Sequence, residues 1–166
     1  NLSSSVPFVG PETLERQMGK MFNARIGANE SVFGPSPKAI YAMQNEINNI
    51  WMYGDPENYE LKSLLAKIHD IKNDNIVIGE GIDGLLSYFV RLFVEFGTNV
   101  VTTDGAYPTF NYHVSGFGGI LNKVEFKNDH EDPGYLLDEI KKTKSKIVYM
   151  SNPNNPMGTF QDGSVI

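Results

Sequence analysis

Ser151-Asn152-Pro153-Asn154-Asn155-Pro156-Met157-Gly158-Thr159 follows the apolar run Ile147-Val148-Tyr149-Met150. A short apolar run bounded by turn formers reads as a buried strand. The prolines then fix φ, while Asn and Gly tolerate unusual backbone angles, so the strand must end in an irregular loop. A polar loop leaving the carboxyl end of a buried strand is where open α/β sheets bind ligands. Read alone, the stretch specifies a rigid, amide-bearing loop, a description that a plain Pro/Asn turn also meets.

Working backwards, strand and helix patterns alternate. Val100-Val101-Thr102-Thr103 and residues 120–126 read as strands, and Ile76-Val77-Ile78 reads as a further short buried strand. Between them lie helical patterns. Residues 82–96 carry Leu85, Leu86, Phe89, Val90 and Phe93 toward a core, and residues 107–115 start near Pro108. Asp132-Pro133 caps a helix to about Lys142 that carries Leu136, Leu137 and Ile140. Such alternation implies right-handed crossovers and an α/β fold with a mainly parallel sheet and flanking helices. The N-terminal part is different. It offers a short helix at 13–21, a breaker-rich loop around Gly34-Pro35-Ser36-Pro37, and a helix to about Trp51 with Ser36 as N-cap. That helix bears an apolar stripe of Ile40, Met43, Ile47 and Ile50. Another helix carries Leu61, Leu64, Leu65 and Ile68 on one face, and Asn73-Asp74-Asn75 is a turn.

Four further stretches bear on chemistry. Gly79-Glu80-Gly81-Ile82-Asp83-Gly84 lies between a strand and a helix. Glycines admit close backbone approach, and a helix N-terminus offers unpaired N–H groups to a phosphate. The stretch lacks the Gly-Lys-Ser/Thr of a nucleotide-triphosphate loop and the dinucleotide spacing, and a Gly-rich helix entry without ligand has the same sequence. Asp104-Gly105-Ala106-Tyr107-Pro108-Thr109-Phe110 places an aromatic ring at a strand end, suited to stacking on a planar heterocycle or to filling a core. Tyr53-Gly54-Asp55-Pro56-Glu57 and Gly27-Ala28-Asn29-Glu30-Ser31 both read as turns.

Taken together, in this order, these stretches resemble those of fold type I aminotransferases of class I/II, which use pyridoxal 5′-phosphate (PLP), and in particular enzymes similar to histidinol-phosphate aminotransferase. The likeness runs from about Pro7 to Thr159, the N-terminal portion of that fold. It implies that Asn155 hydrogen-bonds the phenolic oxygen of the cofactor and that Tyr107 stacks on its ring. It implies that Gly81, Ile82 and Asp83 form the phosphate turn, with main-chain groups of Ile82 and Asp83 as contacts. Gly84 stands where the family usually has Glu. Tyr53 would cross a homodimer interface to the phosphate of the neighbouring subunit, although Gly54 replaces the usual Pro. Asn29 would lie beside the substrate. The resemblance also implies a division into an N-terminal arm and small-domain segment, 1–45, and the first part of the PLP-binding large domain, 46–166.

Composition narrows the alternatives. The chain has 166 residues, a net charge of −6 and no Cys. It therefore has no disulfide framework and no thiol nucleophile. Without a dense basic patch, nucleic acid is not an expected partner. Lys141, Lys142, Lys144 and Lys146 read as a solvated helix end. No apolar run approaches the ~20 residues needed to span a bilayer, and no signal peptide pattern is present, which is compatible with a cytoplasmic protein. His69, His113 and His130 have no ligand spacing, and Asp129, Glu131 and Asp132 read as a polar loop, so no metal site is expected.

PLP chemistry needs a Lys that bonds to the cofactor aldehyde and a carboxylate beside the ring nitrogen. In the family both groups come well after the Asn-Pro loop, at positions that would follow Ile166. Lys38, Lys123 and Lys146 lie in no comparable context, so no catalytic residue is assigned and the chain alone is expected to be inactive. The expected reaction of the full enzyme is transfer of an amino group from an amino acid or amino-alcohol phosphate to a 2-oxo acid. Pro7-Phe8 stands where the family often has Pro-Tyr; a missing hydroxyl there would cost a phosphorylated substrate about 1–3 kcal/mol. The competing readings are a PLP-dependent decarboxylase of the same fold and a non-catalytic α/β module that binds a phosphorylated ligand or a partner chain.

Overall fold

Three strands carry the second half of the chain, and the middle one is built for burial. The structure is a computed structural model that describes residues 9–27 and 29–166. It divides into two compact units, one of residues 9–78 and one of Gly79–Ile166.

In the Gly79–Ile166 unit, helix α4 (Gly81–Phe93) leads to strand β1 (Asn99–Thr103), helix α5 (Pro108–Gly116), strand β2 (Ile120–Val124), helix α6 (Pro133–Thr143) and strand β3 (Ile147–Val148). The sheet order is β2-β1-β3 and both pairings are parallel. Asn99 aligns with Ile120 and Thr103 with Val124. On the other side Val100 aligns with Ile147 and Val101 with Val148. As the central strand, β1 buries Val100, Val101, Thr102 and Thr103, which is why its sequence is a β-branched run rather than an alternation. The chain steps from β1 to β2 in one direction and from β2 back across β1 to β3 in the other. Crossovers of one hand then place α5 and α6 on opposite faces. On the first face Val90 and Val94 pack with Val100, Phe110 and Val114, and Leu86, Leu121, Ile147 and Tyr149 close around them. Each such fully buried side chain contributes about 1.5–3 kcal/mol. The ring of Phe110 stacks on that of Tyr149 at 4.3 Å between centroids. On the second face α6 buries Leu136.

Local chemistry sets the ends of these elements. Asp132 caps α6 by accepting from the Tyr135 N–H, and Lys144 ends the helix in a left-handed conformation. The helix patterns at 82–96 and 107–115 and the capped pattern before Lys142 correspond to α4, α5 and α6. The apolar face of α4 is only partly covered, because Phe89 and Phe93 stay exposed and lie against each other at 4.8 Å. Two strands are shorter than their apolar runs, since β2 stops at Val124 and β3 pairs only Ile147 and Val148.

The unit of residues 9–78 is helical. It comprises α1 (Pro11–Met18), α2 (Pro37–Glu46), a 3-10 turn at Ile47–Asn49, α3 (Tyr59–His69) and a second 3-10 turn at Asn73–Asn75. Ser36 caps α2 through the Ala39 N–H, and α2 gives way to the 3-10 turn before reaching Trp51. Glu15 of α1 is buried; it accepts from the Phe22 N–H and pairs with Arg25, which also pairs with Glu12. The stripe on α2 and its continuation forms but is uncovered, with Ile47, Ile50 and Trp51 exposed by 59%, 77% and 80%. The strand expected at Ile76-Val77-Ile78 is not formed. Ile76 is extended, but Val77 is largely exposed and no ladder forms there among the described residues. An apolar run can specify extended backbone; a strand also needs a neighbour to complete its hydrogen bonds.

Candidate functional site

The carboxyl ends of adjacent strands β1 and β3 lie where the chain reverses its direction across the sheet, the position at which open α/β sheets bind ligands. Two of the sequence-derived stretches begin there. After β1 comes Asp104-Gly105-Ala106-Tyr107, with the Asp104 N–H still donating to the Val124 carbonyl at 2.7 Å. After β3 comes the Asn-Pro loop, entered through Tyr149, whose N–H donates to the Val101 carbonyl at 2.9 Å.

The phosphate-type turn opens α4. Glu80 is its N-cap residue but supplies no side-chain cap, so the first-turn N–H groups have no capping side chain from that position. The Glu80 carboxylate instead accepts from the Tyr88 hydroxyl at 3.2 Å. Gly81 has φ 70°, the left-handed region, and a Cβ there would meet open space. Backbone donors, a positive helix end and an open approach suit a phosphate. Ile82 presents its N–H from this turn while its side chain is 60% exposed. The Tyr107 hydroxyl donates to Asp83 Oδ1 at 2.9 Å, so the strand-end aromatic and the helix entry are joined directly.

The Asn-Pro loop is pinned from within and from beneath. Asn152 donates to the Gln161 carbonyl at 2.9 Å and accepts from the Gln161 N–H at 2.8 Å. The Asn154 N–H donates to the Thr159 carbonyl and the Gly158 N–H to the Asn154 carbonyl, both at 2.8 Å. Asn154 Oδ1 also accepts from the Met157 N–H at 3.0 Å. Asn155 is half-buried on this loop. Beneath it lies Glu131, only 3% exposed. Its carboxylate accepts from the Thr103 hydroxyl at 3.4 Å, the Ser151 N–H at 3.3 Å and the Asn154 side-chain amide. Burial pushes its pKa above the ordinary carboxylate value, opposed by the Ser151, Asn154 and Thr103 donors. Tyr149 links the parts electrostatically. Burial raises its phenol, a bond with Ser151 lowers it, and Glu131, Tyr107 and Asp83 each raise it further.

Of the residues singled out from sequence, Gly81, Ile82, Asp83, Tyr107 and Asn155 all belong to the Gly79–Ile166 unit. Asn29 and Tyr53 belong to the other unit, Asn29 exposed and Tyr53 fully exposed. Pro7 and Phe8 lie outside the described residues. Sequence reasoning passed over Tyr149 and Asn154, and it placed Glu131 in a polar loop. The structure corrects this, because Glu131 is a buried acceptor beneath the Asn-Pro loop. The lysines read as lacking a catalytic context include Lys123, which pairs with Asp104 at 3.0 Å.

A parallel sheet with helices on both faces carries a helix-entry turn, an aromatic ring and an amide loop at its carboxyl edge, an α/β arrangement like that of PLP-dependent transferases of fold type I. The family model for aminotransferase class I and II matches residues 24–162, and the chain belongs to this family. The crystal structure of histidinol-phosphate aminotransferase from Sinorhizobium meliloti, in complex with PLP, is 51% identical with a TM-score of 0.91; the match covers 96% of this chain and 44% of that one. Histidinol-phosphate aminotransferase from Leuconostoc mesenteroides is 32% identical over 93% of this chain and 44% of its own length. The enzyme of that name from Moorella thermoacetica is 30% identical over 93% of this chain and 40% of its own length. The chain thus spans about two-fifths of the length of the curated relatives it matches.

Proposed function

We propose that this chain is the cofactor-binding N-terminal portion of a PLP-dependent aminotransferase of the histidinol-phosphate aminotransferase kind. The full enzyme transfers an amino group from an amino acid or amino-alcohol phosphate to a 2-oxo acid. The observation that carries the reading is the 2.9 Å bond from Tyr107 to Asp83, which unites the phosphate-type turn and the aromatic ring. The uncapped start of α4 and the open space at Gly81 fit a phosphate. The pinned Asn-Pro loop fits a fixed amide donor.

In this assignment the main-chain N–H groups of Ile82 and Asp83 hold the phosphate, and Gly81 lets it approach. Tyr107 lies against the ring and fixes its plane. Asn155 donates to the ring oxygen. When bound, PLP supplies an aldehyde and an electron-withdrawing ring that stabilises negative charge at the substrate α-carbon. Asn29 is assigned to the substrate side, and Tyr53 to the phosphate of a neighbouring subunit in a cytoplasmic homodimer. The uncovered apolar residues Ile47, Ile50 and Trp51, with Tyr53 beside them, support burial against another surface. Residues 1–45 are assigned to the arm and small-domain segment and 46–166 to the start of the large domain. No side chain of this chain is assigned to proton transfer, so the chain by itself should not turn over.

The test is transfer of ¹⁵N from a labelled amino acid or histidinol phosphate to an unlabelled 2-oxo acid by the full-length protein with PLP. Label in the product amino acid supports the reading. Release of CO2 without label transfer would favour a decarboxylase, and no reaction with any donor would refute both.

A further inference from the structure

A carboxyl group buried to 3% exposure needs a reason, and among the described residues that of Glu131 pairs with no cation and makes none of the assigned cofactor contacts. Its partners all point one way. Thr103 at the end of β1, the Ser151 N–H at the end of β3 and the Asn154 amide within the loop each donate to it. The residue also holds the loop's far side, because Gln161 Nε2 donates to the Glu131 carbonyl at 3.0 Å. Gln161 is in turn the backbone partner of Asn152. One residue therefore fastens both the entrance and the exit of the Asn-Pro loop to the central strand.

We infer that Glu131 is a positioning residue for cofactor binding: its carboxylate gathers Thr103, Ser151 and Asn154 and so sets the place of Asn155 at the sheet edge. The inference rests on the assignment of Asn155 to the cofactor. Oε1 takes the Asn154 amide, Oε2 takes the Thr103 hydroxyl, and the Ser151 N–H lies 3.3 Å from both. An apolar side chain of similar size would leave the Asn154 amide and the Ser151 N–H without this acceptor, whereas Gln can keep Oε1 toward both and donate to the Thr103 hydroxyl, which also accepts. The chemistry at Glu131 is thus distinct from simple space filling.

The experiment is PLP titration of the full-length apoprotein, followed by absorbance, for the wild type, Glu131→Leu, Asn155→Ala and the double variant. Glu131→Leu is expected to weaken PLP binding about tenfold, and Glu131→Gln, which keeps the oxygen facing Asn154 and Ser151, to weaken it less. In the Asn155→Ala background Glu131→Leu should add less than about twofold, because Glu131 acts through that loop. The PLP absorbance maximum should move in the same direction in both single variants. Effects that multiply in the double variant, or affinity of Glu131→Leu within about twofold of wild type, would overturn the inference while leaving the site assignment standing. Unchanged affinity in Asn155→Ala would overturn the site assignment itself, and the inference with it. If Glu131→Leu does not fold, Thr103→Val carries the test. It removes one donor without opening a cavity, and should weaken PLP about two- to threefold with the same lack of additivity. Wild-type affinity in Thr103→Val would then refute the role.

Discussion

Removing the Tyr107 hydroxyl separates two contributions of one side chain, the bond seen in the structure and the proposed stacking on the cofactor. The hydroxyl donates to Asp83 Oδ1 at 2.9 Å, in an exposed setting where water competes for the carboxylate. A charge-assisted bond there contributes about 0.5–1 kcal/mol, less than its buried counterpart. The ring, if it stacks on the cofactor, contributes about 0.5–1.5 kcal/mol more. Tyr107→Phe keeps the ring and loses a bond that the free protein also makes, so PLP affinity should fall at most about two- to fivefold. Tyr107→Leu loses both, for a fall of about two- to seventyfold. The assay is equilibrium PLP binding to the full-length apoprotein, with thermal melts to show that the variants are folded. In an Asp83→Ala background the Tyr107→Phe substitution should have no further effect, since its partner is already gone. If Phe and Leu variants bind PLP as the wild type does, the ring does not lie against the cofactor and the reasoning fails. If Tyr107→Phe acts equally with and without Asp83, the bond is not what orients the ring.

Two predictions concern stability. Gly119→Ala should destabilise the protein by about 1–3 kcal/mol in denaturant titration, because its Cβ would meet Val114 Cγ1 at 2.7 Å and Val94 Cγ1 at 2.8 Å in the core; a neutral result would mean that this core is loosely packed. Asp132→Ala should cost about 1 kcal/mol at neutral pH, as it removes the cap of α6 and the Lys127 partner at 3.2 Å. The Tyr135 N–H, then Lys127, hold the Asp132 carboxyl below its ordinary 3.8. Its stabilising effect is therefore full above pH 3.8 and is lost as the pH falls through the lowered folded value, so the variant and wild type should converge there. A gap in denaturation midpoint that persists in strong acid would refute the electrostatic part.

The legible parts of this chain were those fixed by local pattern. Val100 to Thr103 read as a buried strand because its neighbours are β2 and β3 on either side, which a β-branched run anticipates. Ser36-Pro37 and Asp132-Pro133 gave helix starts through capping chemistry that lies within a few residues. Ile76-Val77-Ile78 was misread because the same pattern says nothing about whether a neighbouring strand is present. The role of Glu131 was hidden for a related reason. Its donors come from Thr103, Ser151 and Asn154, distant in sequence, and a carboxylate between His130 and Asp132 looks like any polar loop. Tyr107 could be named from its place at a strand end, but its bond to Asp83 emerges only when α4 and α5 pack on each other.

The most direct test of the central claim is the PLP stoichiometry of the purified full-length protein, measured by visible absorbance after exhaustive dialysis. A cofactor site at this sheet edge requires one PLP retained per chain, a chromophore whose spectrum changes on adding an amino acid, and marked loss of retention in Asn155→Ala. A protein that retains no PLP after saturation, or retains it equally with Asn155 and Tyr107 both replaced, would contradict the cofactor site described at the edge of this sheet.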